Sequence, residues 1–193
     1  MPNQGPLEPS EEPSSSAVLE RISDYHVELA RRYIAAGVGA AWFADDYAGQ
    51  QGPFMRPELW RRLILPPLAR VLAIYREAGL PIFFHTCGQA EAFVPDLLAA
   101  GADVLNLQSD ACDLPALKAR YGKQIAFFGG IPSQTMLLGG PEEIRQRTRS
   151  AISTLKGDGG LVLAPDQPLA FPSENTAAFV EAARTYGKYP ERG

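Results

Sequence analysis

Five short apolar segments alternate with longer amphipathic segments along this chain, and this alternation restricts its fold more than any other feature. Strands that are separated by helices of ten or more residues pair side by side as parallel βα units. The sequence therefore predicts an α/β fold with a parallel sheet. The predicted strands cover residues 38–44, 81–84, 103–107, 124–128 and 160–164.

The amphipathic segments predict the helices of these units. The first helix is expected over residues 17–36, with Ser16 as its N-cap and Gly37 as its end. We interpret His26 as a packed or half-buried helix residue rather than a catalytic one, because it lies on the apolar stripe of this helix. That stripe consists of Leu19, Ile22, His26, Leu29 and Tyr33. The other predicted helices span residues 56–78 with a break at Pro66 and Pro67, 91–100, 114–121 after an Asp113 cap, 141–155, and 173–186.

The composition of the chain argues against several classes of protein. Residues 1–16 are rich in Pro, Ser and Glu and predict a disordered tail, so the folded domain is expected over residues 17–193. The net charge of -4 lacks the basic surplus of a nucleic-acid-binding protein. No run of about 18 apolar residues and no signal peptide is present, so we expect a cytoplasmic protein that does not enter a membrane. Its two cysteines are then expected to be reduced thiols or metal ligands.

Polar residues follow the carboxyl end of every predicted strand. In a (β/α)8 barrel, the loops at this face build a single active site. We expect the glycine pair among these residues to form a tight turn, because no phosphate-binding glycine spacing surrounds it. The residues are Asp45 and Asp46, His85 and Cys87, Gln108 and Asp110, Gly129 and Gly130, and Asp166 and Gln167.

The segment His85-Thr86-Cys87 is the strongest chemical signal among them. Side chains two apart in a strand point to the same side, so an imidazole and a thiol would face one cavity and form half of a zinc site. A buried cysteine and a strand-capping histidine would show the same spacing. Asp45 and Asp46 are suited to acid–base work, substrate holding or metal ligation, and equally to closing a loop.

Five ordered motifs then match a known family: FADDYAGQQGPFMRPELW, FFHTCG, ADVLNLQSDACDLPALKARYG, IAFFGGIPSQ and PSENTAAFVEAARTYGKYP. From about residue 17 to 190 the chain resembles the carboxyl-terminal part of the uroporphyrinogen decarboxylase superfamily, which includes corrinoid and coenzyme-M methyltransferases and O-demethylase methyltransferases. The resemblance implies an incomplete TIM (β/α)8-type barrel that holds about the last five βα units. Without closure, such a sheet would have two unpaired edges.

The methyltransferase branch is similar at the H-x-C motif, where His85 and Cys87 match its first two zinc ligands. That branch has a further cysteine after the last strand, whereas Asp166 and Gln167 stand there in this chain. The third ligand would then be Asp46 or Cys112. The resemblance implies transfer of a methyl group from a corrinoid, or a corrinoid protein, to a small-molecule thiol.

Other residues would support that reaction. Asp45 or Asp46 would complete the metal shell or take a proton. The candidate substrate-binding residues are Gln50, Gln108, Gln134 and Gln167.

Two alternatives stay open. Asp45 also matches the aspartate of the F-D-S-W-A-G-like segment of the decarboxylases, which would imply decarboxylation of a tetrapyrrole side chain with the amino-terminal part supplied by another chain. The chain would otherwise be a non-catalytic fragment whose open edges pair with a second copy or with a complementary amino-terminal half.

Overall fold

The computed structural model describes residues 15–189 of the chain and shows alternating strands and helices. The strands are β1 (Ala41–Ala44), β2 (Ala48–Gly49), β3 (Gly52–Pro53), β4 (Ile82–Thr86), β5 (Val104–Leu107), β6 (Ala126–Ile131) and β7 (Leu161–Pro165). The helices are α1 (Ser15–Ala35), α2 (Pro57–Leu63), α3 (Leu65–Glu77), α4 (Val94–Ala100), α5 (Leu114–Tyr121), α6 (Ser133–Leu138), α7 (Pro141–Leu155) and α8 (Ser173–Tyr186). A short 3₁₀ helix, Glu91–Phe93, leads into α4.

Five of these strands form one sheet in the order β1-β4-β5-β6-β7, and every neighbouring pair is parallel. The α/β prediction is therefore confirmed, and β1 and β7 are the two edges. The remaining pair, β2 and β3, is a small antiparallel hairpin between β1 and α2. Because all five strands run the same way, their carboxyl ends meet along one rim of the sheet.

One face of the sheet is covered by helices and holds the main core. Its side chains are fully buried, and they include Ile82, Phe84, Leu105, Phe127 and Ile131. Tyr47, Trp60 and Phe93 pack as an aromatic group next to the Phe84 ring. Burial of apolar surface on this scale is the dominant stabilising term of such a domain.

The opposite face of the sheet is only partly covered, and we call it the open face. Its apolar side chains include Trp42, Phe83, Phe128 and Val162. The Trp42 ring stacks on Phe83 at 6.0 Å and meets Phe128 edge-on at 5.4 Å. Even so, Trp42 is 53% exposed and Val162, on the opposite edge strand, is 44% exposed.

Helix α1 packs against α3 through a face other than the predicted one. Ser23 and Ala30 are buried in this contact, and the Ser23 hydroxyl donates a hydrogen bond to the Pro67 carbonyl at 2.9 Å. Small side chains at these two positions leave room for a neighbouring helix. The predicted apolar stripe is therefore wrong for α1. Three of its members are exposed, namely Ile22, His26 and Tyr33.

Some predicted boundaries also need correction. Ser15 and Ser16 lie inside α1, so Ser16 is not an N-cap and the tail cannot extend to residue 16; residues 1–14 lie outside the described part. The break before α3 falls at Ile64, two residues ahead of the predicted proline pair. Both prolines occupy the first turn of α3, where a missing N–H is tolerated.

Strand boundaries differ in a similar way. Strand β1 begins at Ala41 rather than at residue 38. The predicted turn at Gly129 and Gly130 is wrong, because both residues lie within β6, with φ of 109° and 97°. Asp113, in contrast, caps α5 as predicted by accepting a hydrogen bond from the Ala116 N–H at 3.0 Å. The hairpin β2–β3 and the helix α6 were not predicted.

Candidate metal centre

Three of the predicted site residues converge at the carboxyl ends of β1 and β4. His85 Nε2 lies 3.2 Å from Cys87 Sγ and 3.9 Å from Asp46 Oδ1. The three ligand atoms all lie within 4.8 Å of one another. Asp46 is held in place because its Oδ1 accepts a hydrogen bond from the Cys87 backbone N–H at 2.8 Å. We call these three residues the metal triad.

The tautomer of His85 follows from its neighbour Asn106. The Asn106 Nδ2 donates to the Phe128 carbonyl at 2.8 Å, which turns its Oδ1 toward His85. That oxygen lies 2.6 Å from His85 Nδ1, so Nδ1 carries the hydrogen and donates it. The lone pair is therefore on Nε2, the atom that faces Cys87. A histidine oriented by a hydrogen bond at its other ring nitrogen is the usual arrangement of a metal ligand.

The donor set suits zinc. Catalytic zinc sites combine three protein ligands drawn from His, Cys and carboxylates, and they leave one position for substrate. Ligand atoms at roughly 2.0–2.3 Å from a tetrahedral ion lie roughly 3.3–3.6 Å from one another. The two separations from His85 Nε2, 3.2 Å and 3.9 Å, bracket that range, and the separation between the Asp46 and Cys87 ligand atoms is at most 4.8 Å. The residues present therefore fit such an ion without large rearrangement.

Cys87 is half-buried, and its sulfur also contacts a residue from the far edge of the sheet. Gln167 Nε2 donates a hydrogen bond to Cys87 Sγ at 3.2 Å. Burial, followed by the hydrogen bond and charge of Asp46, raises the pKa of the Cys87 thiol to about 11, and the Gln167 contact opposes this rise. A bound cation favours the thiolate instead.

Cys112, the other predicted third ligand, lies outside the metal triad. Its side chain is buried and its thiol donates to the Gly88 carbonyl at 3.2 Å. Burial raises the pKa of this thiol to about 11. Within the described residues, Asp46 and not Cys112 is the group that joins His85 and Cys87.

Asp45 points into a different space from its neighbour Asp46. It lines a cavity of about 350 Å³ between α1, α3 and the end of β1, whose walls include His26, Phe43 and Leu68. Partial burial raises the pKa of Asp45 above its usual value. Of the two aspartates that are adjacent in the sequence, Asp45 thus lines this cavity and Asp46 belongs to the metal triad.

The predicted glutamines gather beside the metal triad. Gln50 Nε2 donates to Gln108 Oε1 at 3.0 Å, and the Gly88 N–H donates to the same oxygen at 2.6 Å. A recess of about 110 Å³ lies next to this network, and we call it the glutamine recess. It is lined by Gln108, Gln134, Gln167, Asp110, Ser133 and Asp166, together with two leucines.

Two further residues support the site. Asn106 was not predicted, and its sequence signal was a polar residue inside the apolar segment VLNL. Asp166 was predicted only to follow the last strand at the active-site face, and its side chain is 3% exposed. Its Oδ2 accepts hydrogen bonds from the Ser109 N–H at 2.8 Å and hydroxyl at 2.5 Å, and its Oδ1 accepts from the Gly130 N–H at 2.9 Å. Burial raises the pKa of Asp166 to about 6.

Gly88 allows the loop after β4 to reach the β2–β3 hairpin. A Cβ at this position would lie 2.4 Å from the Ala48 carbonyl oxygen and 2.5 Å from that of Gly49, and the backbone has φ of 71°. Only glycine combines this conformation with so close an approach. The neighbouring Gln89 N–H then donates to the Gly49 carbonyl at 3.0 Å.

One known family matches most of the chain. The family model for uroporphyrinogen decarboxylase (URO-D) matches residues 10–186. The chain belongs to this family. The resemblance inferred from the motifs is therefore confirmed. No helix among residues 15–189 has both the length and the apolar character needed to cross a membrane. The cytoplasmic location stays a prediction.

Individual relatives in the family are methyltransferases. The chain is similar to the methylated-thiol–coenzyme M methyltransferase of Methanosarcina mazei, with 24% identity over 169 residues, 87% of this chain and 44% of that protein. It is also similar to the methylcobamide:CoM methyltransferase MtaA of Methanosarcina barkeri, with 27% identity over 177 residues, 88% of this chain and 49% of that protein. The chain thus spans about half the length of the curated relatives it matches.

A solved structure shows the same fold. A methyltransferase from Methanosarcina mazei superimposes with a TM-score of 0.69 at 22% identity, covering 86% of this chain and 48% of that chain. This likeness confirms the prediction of a partial barrel with parallel strands. It concerns the fold alone.

Proposed function

We propose that this chain carries the zinc site of a methyl transfer from a corrinoid-bound methyl group to a small thiol. The observation that supports this most is the metal triad, in which His85 Nε2, Cys87 Sγ and an Asp46 oxygen lie within 4.8 Å of one another. The names of the relatives, methylcobamide:CoM methyltransferase and methylated-thiol–coenzyme M methyltransferase, support the same reaction class.

Each residue of the triad would have a defined part. His85, oriented by Asn106, would hold the ion through Nε2, while Cys87 and Asp46 would supply the sulfur and oxygen ligands. Zinc bound there would act as a Lewis acid that favours the thiolate form of an acceptor thiol. Gln167 would donate its hydrogen bond to the Cys87 sulfur and so limit the negative charge that builds up on it.

In the transfer itself, the acceptor sulfur forms a bond to the methyl carbon while the cobalt–carbon bond of the corrinoid breaks. The electron pair of that bond stays on cobalt, and the thiol proton leaves to water. The protein contributes orientation and a fixed charge environment. Such positioning accounts for a large part of the acceleration in group-transfer enzymes.

We further propose that the complete activity needs βα units beyond those in the described structure. The exposed Trp42 and Val162 lie on the open face, and β1 and β7 leave backbone groups unpaired at both edges. A polypeptide that supplies further parallel strands would cover both features. The candidates are a complementary amino-terminal half and a second copy of this chain.

The metal site can be tested with the two histidines and two cysteines of the chain, which form matched pairs. We expect about one zinc or cobalt(II) ion per chain, and we expect its loss in His85→Ala and Cys87→Ser. His26→Ala and Cys112→Ser should keep the ion, because neither residue belongs to the metal triad. Metal content of the size-fractionated protein gives the answer, and equal metal in His85→Ala and in the parent would refute the site.

The transfer is tested separately. Thiol-dependent demethylation of methylcobalamin should require the ion and should fall in Asp46→Ala. Supply of a candidate complementary half should raise the rate. If the chain binds the metal but no demethylation is seen, either alone or with a complementary half, the metal site is supported and the proposed reaction is excluded.

Tetrapyrrole decarboxylation stays an unconfirmed alternative. Uroporphyrinogen carries several carboxylates, and cations are the usual partners of such groups. Among the described residues that line the glutamine recess there is no lysine or arginine. Methyl transfer is therefore the function that the site supports better.

A further inference from the structure

The glutamine recess adjoins the metal triad through one shared residue. Gln167 lines the recess and at the same time donates a hydrogen bond to Cys87 Sγ at 3.2 Å. A molecule seated in the recess would therefore lie beside Gln167, the side chain that contacts the triad. The recess, at about 110 Å³, has room for a ligand of a few non-hydrogen atoms.

The charge of the recess is negative. Two carboxylates, Asp110 and Asp166, line it, and its other polar groups are three carboxamides and the Ser133 hydroxyl. Among the described residues of its wall there is no lysine or arginine to neutralise them. An anion in this space would meet two like charges, whereas a cation would meet two opposite ones.

The buried carboxylate is firmly held. Three hydrogen bonds from Ser109 and Gly130 fix both oxygens of Asp166, so the group cannot swing away from an incoming ligand. Asp110, in contrast, is exposed at the mouth of the recess. One carboxyl group is thus internal and fixed in position, and the other stands where a ligand enters.

We propose that the glutamine recess is the acceptor site and that it takes a small aliphatic aminothiol, with the sulfur toward the metal triad and the ammonium group toward Asp110 and Asp166. This assignment rests on the proposed function and adds the substrate class. It sets the chain apart from relatives that are named for coenzyme M, because an anionic end group is disfavoured here.

Three thiols with one common stem provide the test. In 2-aminoethanethiol, 2-mercaptoethanol and 2-mercaptoethanesulfonate (coenzyme M), the same two-carbon thiol ends in a cationic, a neutral or an anionic group. Each is titrated into the cobalt(II)-loaded full chain at fixed pH and ionic strength, and binding is followed by the sulfur-to-cobalt charge-transfer absorption. This measurement reports equilibrium binding and needs no corrinoid. We expect the aminothiol to bind at least about tenfold more tightly than the sulfonate.

Variants that remove a charge distinguish the contribution of the recess to the affinity ratio from the contribution of the thiols' own chemistry. Asp110→Asn is an exposed substitution that should fold, and it should reduce the ratio of aminothiol to sulfonate affinity by at least about threefold. Asp166→Asn should reduce the ratio further if it folds. Asp158→Asn is the matched control, because Asp158 precedes β7 and so lies at the opposite end of that strand. Its ratio should equal that of the parent chain.

The outcomes are distinct. A tenfold preference that weakens in Asp110→Asn and not in Asp158→Asn supports the assignment. Three outcomes with cobalt bound at the triad overturn the assignment and leave the proposed function standing. They are equal affinities for the thiols, a preference for the sulfonate, and an affinity ratio that is unchanged in Asp110→Asn. Absence of any cobalt spectrum that depends on His85 overturns both.

Discussion

The two faces of the five-stranded sheet differ in how completely the described chain covers them. On the helix-covered face, Phe84 and Phe127 are fully buried. On the open face, Trp42 and Val162 keep about half of their surface in contact with solvent. The same strands carry both sets, since neighbouring side chains alternate between the faces.

This difference indicates that one face of the sheet provides most of the stability and the other face holds the candidate site. The helix-covered face needs nothing beyond the described chain to exclude water. The open face carries His85 and Asn106 among its side chains, so the candidate metal centre lies on the incomplete side. The fold is therefore expected to be held by one face, while the chemistry depends on what covers the other.

The largest effect should come from a large-to-small change on the covered face. Phe84→Ala is expected to lower the free energy of unfolding by about 3–5 kcal/mol, because the cavity it leaves is enclosed by other core side chains. Trp42→Ala should lower it by no more than about 2 kcal/mol, because that ring is already half in water. Denaturant unfolding of both variants measures the contrast, and equal losses would mean that the open face is as well packed as the covered one.

The second effect concerns the polar part of the open face. Asn106→Ala removes the acceptor that orients His85, and it should weaken zinc or cobalt affinity by about 10–100-fold. Thr86→Val is the control on the covered face, where the Thr86 hydroxyl accepts a hydrogen bond from the Tyr47 N–H. Competition with a chelator measures both affinities. The orientation argument fails if Thr86→Val weakens metal binding as much as Asn106→Ala does.

A smaller effect is expected from the titration of Asp166. Its pKa is raised by burial from 3.8 to about 6, so between these values the folded protein binds more protons than the unfolded chain. Its contribution to stability is therefore present at low pH and is lost as pH rises through about 6. Relative to Asp166→Asn, the parent chain should gain about 1 kcal/mol in free energy of unfolding between pH 7.5 and pH 5. A flat difference over this range would show that the carboxyl is not desolvated.

The smallest effect on stability should come from the far edge of the open face. Val162→Thr keeps the shape of an exposed side chain, and it should change the free energy of unfolding by less than about 0.5 kcal/mol. It should nevertheless lower concentration-dependent self-association in sedimentation velocity, because it makes an uncovered apolar edge more polar. Val180→Thr on α8 is a comparable change away from the sheet. Identical association of the two variants would indicate that the open face does not drive self-association.

Much of the fold could be predicted because each strand is a local apolar run. The five strands and the ends of α7 and α8 depend on neighbouring residues alone. The alternation of side chains also placed His85 and Cys87 on one side. The stripe of α1 was misassigned because polarity does not reveal that Ser23 satisfies its hydroxyl on the Pro67 carbonyl.

The rest of the site depends on distant pairings. Asp46 reaches Cys87 only through the register that sets Ala44 beside His85. Gln167 reaches the same sulfur from 80 residues away. Gly129 resembled a turn, yet it lies in β6, where a Cβ would come within 2.8 Å of the Asp166 carboxylate. Patterns of neighbouring residues in the sequence cannot predict these contacts.

The close approach at Gly88 has a consequence for the order in which the protein assembles. The loop after β4 can meet the β2–β3 hairpin only after β1 and β4 have paired, and the groups that meet are about forty residues apart in the chain. Contacts of such sequence separation tend to form late, because the intervening loop must close first. Metal binding should therefore become possible only after the helix-covered core has collapsed. The time at which a cobalt signal appears during refolding would report the docking of a hairpin whose two strands have two residues each.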